Sequence, residues 1–283
     1  HLGVWNGGLQ LVTGVIGVGI LQSPSVVARN TGSMALAYGV WLVGAVIAVC
    51  GALVMAELAS RMPRSGGTTV FLRETFGPRT SFLFAWTAIF LGPVGTAAIM
   101  IVSVRNLGTV LGISEDMQTV LALGWVGSIT LLNIRSSRVV ARIVGGVGLL
   151  KVSVLAAVVL LCLSGNAAAA PAAAAPAPII ESPWIGFGLA LTATMFAYDG
   201  WDGLSLVAGE VKEPRRTLPR ATLLGMGIIL AVYLAVNAGF FRALPFHQIA
   251  STPALAATAV GRVLGENTGR FLTLFVACSA AST

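Results

Sequence analysis

The chain is a succession of apolar runs about twenty residues long, and nothing else in it constrains the fold as much. A helix crossing the hydrocarbon core of a bilayer needs roughly 20 such residues, and backbone polar groups at that depth must be satisfied internally. About seven runs can be read off, at 2–28, 34–58, 81–104, 119–134, 143–163, 184–208 and 221–241, and an eighth opens at Phe271. Only 10% of the residues are charged and mean hydropathy is +0.90. A soluble domain of ordinary composition is excluded, and the chain reads as an all-α integral membrane protein.

The formal charge of +7 does not form a nucleic-acid surface, because the basic residues are neither gathered in a stripe nor interleaved with aromatics. They sit in the loops. Eleven of the seventeen Lys and Arg residues follow the second, fourth and sixth runs: Arg61, Arg64, Arg73, Arg79, Arg135, Arg138, Arg142, Lys212, Arg215, Arg216 and Arg220. The positive-inside bias then predicts that these loops and the amino terminus are cytoplasmic, in a multi-pass protein of the cell (inner) membrane. Cys50, Cys162 and Cys278 lie inside apolar runs without metal-ligand spacing and are expected to be buried free thiols.

Asn166 to Pro178, NAAAAPAAAAPAP, can form neither a core nor a continuous helix, and is expected to be an external tether. It divides the chain into a first unit of five spans at 1–164, a linker at 165–183, and the start of a second unit at 184–283. The third span is expected to kink at Pro93, Arg105–Gln118 to be a polar connection, and Arg242–Arg270 to form short helices along the membrane or over a cavity. Because the chain opens and closes within apolar runs, it is expected to be part of a longer protein.

Two spans carry interruptions. The first holds GVIGVGILQSP, Gly14 to Pro24, and the sixth holds FAYDGWDG, Phe196 to Gly203, with Asp199 and Asp202 inside or at the edge of an apolar run. Each has a plain structural reading: glycines close-pack helices, and an aspartate can end or cap one. Taken together they point further. Spans one and six are five helices apart and enter the membrane in opposite directions, which is the sequence signature of an inverted-repeat transporter. In such a site half-helix N-termini face an anionic group and freed carbonyls take a cation, an arrangement suited to the carboxylate and ammonium of an amino acid. Lys151, alone among the apolar residues of the fifth span, either snorkels to an interface or donates to carbonyls of the broken first helix where a sodium ion would otherwise sit.

GVIGVGILQSP, AELASRMPRSGGTTVFLRETFG (Ala56–Gly77), NIRSSRVVARI (from Asn133), FAYDGWDG and GEVKEPRRTLPRA (Gly209–Ala221) occur in an order that covers nearly the whole chain. In that ordered set the sequence resembles the L-type amino acid transporter family of the amino acid, polyamine and organocation superfamily. The resemblance implies a leucine-transporter-type inverted-repeat fold, here truncated to about eight of twelve transmembrane helices. Substrate would be held by the backbone of Val15, Ile16, Gly17, Val18 and Gly19 and by Phe196, Ala197 and Asp199, with Phe196 as the gate. Lys151 would be the surrogate for sodium, and Glu57 and Ser65–Gly67 would be structural elements of the cytoplasmic face. The chain departs from the family where Val18 replaces a common serine, where Asp199 replaces the glycine of some animal members, and where Arg105–Gln118 lacks the cysteine that binds a glycoprotein partner. No disulfide-linked accessory subunit is therefore expected.

The resulting expectation is a sodium-independent amino acid transporter, an exchanger of neutral amino acids working by alternating access. The alternatives are a proton-coupled permease for cationic amino acids or polyamines, with Asp199 binding a second ammonium, and a non-transporting sensor or scaffold. No cofactor or metal is expected. An enzyme is not expected either, since the only histidines are His1 and His247 and no nucleophile–base pair stands out. The implied partners are the amino acid substrate and the lipid bilayer.

Overall fold

The computed structural model describes residues 2–17, 19–135, 137–164, 182–252, 255–265 and 268. Val18, the whole Ala/Pro tether, Cys278 and the eighth run lie outside the described residues. The elements are helical throughout: α1 (Val4–Val15), α2 (Gly19–Thr31), α3 (Met34–Arg61), α4 (Thr68–Phe76), α5 (Pro78–Leu111), α6 (Glu115–Arg135), α7 (Ser137–Ser164), α8 (Pro183–Tyr198), α9 (Gly203–Leu206), α10 (Pro214–Ala243), α11 (Phe246–Ser251) and α12 (Leu255–Leu264). Among the described residues, α3 and α10 are each long and apolar enough to cross a membrane unbroken, and α1 with α2 forms a third crossing bent by 56°.

Helix starts and stops follow local chemistry. Gly32, at φ +65°, ends α2 in the left-handed region that glycine enters without a Cβ penalty. Ser33 then caps α3, its hydroxyl accepting from Leu36 N–H at 3.2 Å. Pro183 and Pro214 open α8 and α10 at the position where the missing N–H costs nothing.

Along α3, side-chain size rather than polarity decides which face turns inward. Ala37, Trp41, Ala45, Ala48, Ala52, Ala56 and Ala59 recur at helical spacing and are buried, while Leu36, Leu42, Val43, Val46, Ile47 and Val54 point outward. In lipid the outer face gains nothing from being polar. Close approach of backbones through small residues is what holds helices together there.

The broken spans run antiparallel and in step. A Cβ on Gly19 would lie 2.8 Å from Ala197 Cα, the Ser23 hydroxyl donates to Ala193 O at 2.8 Å, and a Cβ on Gly186 would lie 2.5 Å from Asn30 O. Each advance along α2 is thus matched by an equal retreat along α8. The opposed directions expected of spans one and six are those observed.

Two expectations are corrected. Arg105–Gln118 is not a polar connection, because α5 continues to Leu111 and the turn is confined to Gly112–Ser114. There Gly112 (φ +65°) and Ile113 both donate to Gly108 O. Polarity misplaced the boundary, since a spanning helix can project beyond the hydrocarbon. Helix α5 continues through Pro93, which removes one ladder donor without ending the helix, an outcome compatible with the expected kink. Cys50 is exposed on the outward face of α3, whereas Cys162 is buried; both are free. The segment after α10 does fold into short helices. They pack on the bundle, with Arg29 Nε donating to Ala250 O at 3.1 Å to tie α11 to α2.

Candidate functional site

Helix α1 stops at Val15 because Ile16 turns extended (φ −70°, ψ 99°), and the chain resumes as helix only at Gly19. In the sixth span α8 stops at Tyr198. Asp199 is extended (ψ 149°), Gly200 sits at φ +94°, and α9 begins at Gly203. The two interruptions lie against each other: a Cβ on Gly200 would come within 3.3 Å of Gly14 O, and one on Gly19 within 3.4 Å of Phe196 O. Glycine at 19 and 200 is what allows the backbones this approach.

Interrupting a helix leaves carbonyls without their amide four residues on, and such groups must find partners when buried. Two of them do so through one side chain. The Tyr233 hydroxyl, fully buried on α10, lies 2.6 Å from Ala197 O and 3.2 Å from Val15 O. A phenol has a single proton to donate, so the shorter contact to Ala197 is the stronger bond and Val15 O the secondary acceptor. Tyr233 is therefore a clamp joining the last turn of α1 to the last turn of α8. It belongs to a buried aromatic cluster, with Trp41 5.6 Å and Tyr198 5.0 Å away between ring centroids. The Tyr198 hydroxyl faces Trp41 O at 3.4 Å.

The residues singled out in the sequence fall into three groups. Val15, Ile16 and Ala197 have buried side chains, so what they offer a ligand is backbone; Gly17 is half-buried and Gly19 buried at the same break. Phe196 is 49% exposed at the end of α8, and Asp199 is exposed beyond it. Asp202 stands at the N-cap position of α9 without its carboxylate making a cap hydrogen bond. Lys151 is buried, only 6% exposed, on a helix whose Gly148, one turn earlier, packs against Thr13 of α1. This places it on the bundle side of α7.

At the loop end of the bundle, Glu57 pairs with Arg61 at 2.7 Å. Ser65–Gly67 docks onto the segment following the sixth-span break: Gly66 N–H donates to Leu206 O at 3.1 Å, and a Cβ on Gly67 would meet Ser205 Oγ at 2.8 Å. Leu2, just before α1, also joins this cluster. Its N–H donates to Glu210 O at 3.0 Å, and its carbonyl accepts from Lys212 N–H at 3.2 Å.

Sequence reasoning missed Tyr233, Tyr198 and Trp41. Tyrosine and tryptophan in an apolar run read as membrane-interface residues. The available signal was Tyr233 and Asn237, two polar side chains one turn apart near the middle of a span and both fully buried.

Comparison with known proteins places the chain in a family. The chain is 28% identical to the serine/threonine exchanger SteT of Bacillus subtilis (strain 168) over 276 residues, which cover 96% of this chain and 62% of that protein. It is 28% identical to the human b(0,+)-type amino acid transporter 1 over 93% of this chain and 55% of the relative. The human Asc-type amino acid transporter 1 is 27% identical over 94% and 52%. The chain thus spans about half to three-fifths of the length of the relatives it matches. The amino acid permease family pattern matches residues 2–283, so a chain with two opposed, glycine-broken spans clamped by one tyrosine belongs to the amino acid permease family, within the amino acid, polyamine and organocation superfamily and similar to its L-type transporters.

Proposed function

We propose that the full-length protein is a sodium-independent exchanger of neutral amino acids, taking its substrate at the meeting point of the two breaks. The observation that carries this reading is the Tyr233 clamp: it joins two interrupted, antiparallel helices where Gly19 lies against Ala197 and Phe196 and Gly200 against Gly14. Amides at the start of α2 would receive the substrate carboxylate, and carbonyls of the two breaks its ammonium. Phe196 would close over the bound substrate. The Lys151 ammonium, desolvated on the α1-facing side of α7, would supply the positive charge that a sodium ion provides in coupled transporters of this architecture. The relative named as a serine/threonine exchanger favours small neutral substrates.

In this reading residues 1–164 form the first repeat and 184–283 the start of the inverted second one. The amino terminus and the Arg-rich loops face the cytoplasm across the cell membrane, and no disulfide-linked subunit is required. Alternating access then follows if substrate binds the inward and outward states unequally.

The test is counterflow in proteoliposomes of the full-length protein, with internal serine or alanine, labelled external amino acid, and sodium replaced by choline. Saturable exchange without sodium is expected, whereas flux that appears only with a sodium gradient would overturn the role given to Lys151. The exposed Asp199 carboxylate favours one competing reading, a proton-coupled carrier of cationic amino acids or polyamines. Competition by lysine or putrescine, stronger than by alanine and dependent on a pH gradient, would establish that reading instead.

A further inference from the structure

We propose that the interface between α3 and α10 binds one resident water molecule, held between the indole Nε1 of Trp41 and the amide Oδ1 of Asn237. Both side chains are fully buried. Neither of these two atoms has a hydrogen-bond partner among the described residues. The indole nitrogen can only donate, and the amide oxygen can only accept. Buried polar groups left unpaired are rare and destabilising, so a spare donor and a spare acceptor in one helix interface point to a shared ligand.

Two ring contacts bring the pair to the same interface. Tyr233, Asn237 and Phe241 are spaced four residues apart on α10 and so share one stripe of that helix. Both ends of the stripe touch α3: the Phe241 ring lies 5.1 Å from that of Tyr38, and the Tyr233 ring 5.6 Å from that of Trp41. Asn237, in the middle, is therefore held against the stretch of α3 that carries Trp41. Its amide is also fixed in direction. Nδ2 donates to Tyr233 O at 2.8 Å, which a flipped amide could not do, so the oxygen is the atom left for another partner. One turn to either side of Trp41, α3 presents the buried alanines Ala37 and Ala45, whose methyl groups offer no hydrogen bond.

The chemistry of the pair selects the ligand. A cation would be repelled by the indole N–H and an anion by the amide oxygen. A molecule that accepts from Nε1 and donates to Oδ1 suits both, and water is the smallest that does so, with the two polar partners that a buried water needs. Such a bridge is nearly as favourable as a direct hydrogen bond. It would join the two unbroken spans, one of which carries the Tyr233 clamp.

The test is a structure of the full-length protein in lipid nanodiscs, without added amino acid, at a resolution that shows buried waters. One peak within hydrogen-bond reach of both Trp41 Nε1 and Asn237 Oδ1 is expected, and this reading needs no variant. No peak, direct contact of the two side chains, or a peak that appears only when serine is added would overturn the proposal. A thermal-unfolding cycle checks the link in solution. Asn237→Leu should lower the melting temperature by several degrees in wild type and by clearly less in a Trp41→Phe background, where the bridge is already lost. Trp86→Phe, on the exposed side of α5, is the control background, in which the full effect of Asn237→Leu should persist. Equal losses in the Trp41→Phe background and in wild type would show that the two groups act independently, which overturns the bridge. Neither readout involves transport, so the outcome is independent of the exchange activity.

Discussion

Tyr233 concentrates most of the energetic consequence at the level of single residues. Its hydroxyl is the side-chain donor seen for two buried carbonyls, Val15 O and Ala197 O, and leaving such groups unsatisfied costs about 1–3 kcal/mol. Tyr233→Phe keeps the ring packing and removes only the donor. It is expected to lower the melting temperature of the purified full-length protein and to slow exchange, and a variant matching wild type in both would show that the clamp carries no weight. Gly200 offers a second contrast. At φ +94°, and with Gly14 O 3.3 Å from where a Cβ would sit, Gly200→Ala meets both backbone strain of about 1–2 kcal/mol and a steric conflict. Gly203→Ala, three residues on with open space around it, meets neither. Thermal unfolding of the two variants should separate them by several degrees, with Gly200→Ala the less stable. Lys151→Met keeps the bulk of a long side chain while deleting its charge. If the ammonium organises the first break, exchange should fall about ten- to hundredfold, the equivalent of one charge-assisted hydrogen bond, and adding sodium should not restore it. Radiolabelled counterflow with and without sodium decides this.

The elements are fitted to one another by size, because hydropathy cannot distinguish their faces. Two glycines of α3, seven residues apart, receive the sixth span just before its break and within it: Gly44 meets Thr194 and Tyr198, and Gly51 meets the Trp201 ring. A Cβ at position 44 would stand 2.6 Å from Thr194 Cγ2, and Thr194 is fully buried with its hydroxyl held by Ala190 O. The neighbour cannot yield, so Gly44→Ala is expected to destabilise by about 1–3 kcal/mol as an overpacked contact. Gly39→Ala on the same helix has nothing within 4 Å of its Cβ and should be neutral or slightly stabilising through helix propensity, about 1 kcal/mol at most. Chemical unfolding of the pair, or their relative survival in a heating series, measures the difference. Interruptions and spans were legible because glycine, proline and aspartate in an apolar run violate a strict solvation rule. The extent of α5 was not, because Arg105 and Asn106 look like a loop when judged by polarity, whereas the turn is set by Gly112.

For the molecule as a whole, a leucine-transporter-type fold places the start of α1, the Ser65–Gly67 loop and the stretch from Leu206 to Arg216 at one end of the bundle. The arginine distribution predicts that this end is cytoplasmic. A single cysteine at Arg64, introduced with the native cysteines replaced, should react with a membrane-impermeant maleimide in inside-out vesicles and stay unlabelled in intact cells; the reverse pattern would invert the topology. By itself the sequence determined that the chain crosses a membrane, that the first and sixth apolar runs are broken, and that Lys151 is out of place in its run. All of these follow from the cost of moving a residue or a backbone group out of water, a property of the residue and its immediate neighbours. Only the tertiary structure decided that the breaks touch, that Tyr233 joins them, and that Cys50 faces outward. In a bilayer both faces of a helix are apolar, so transfer energies fix depth and leave rotation and partner undetermined; those are settled by which small residues allow two backbones to meet.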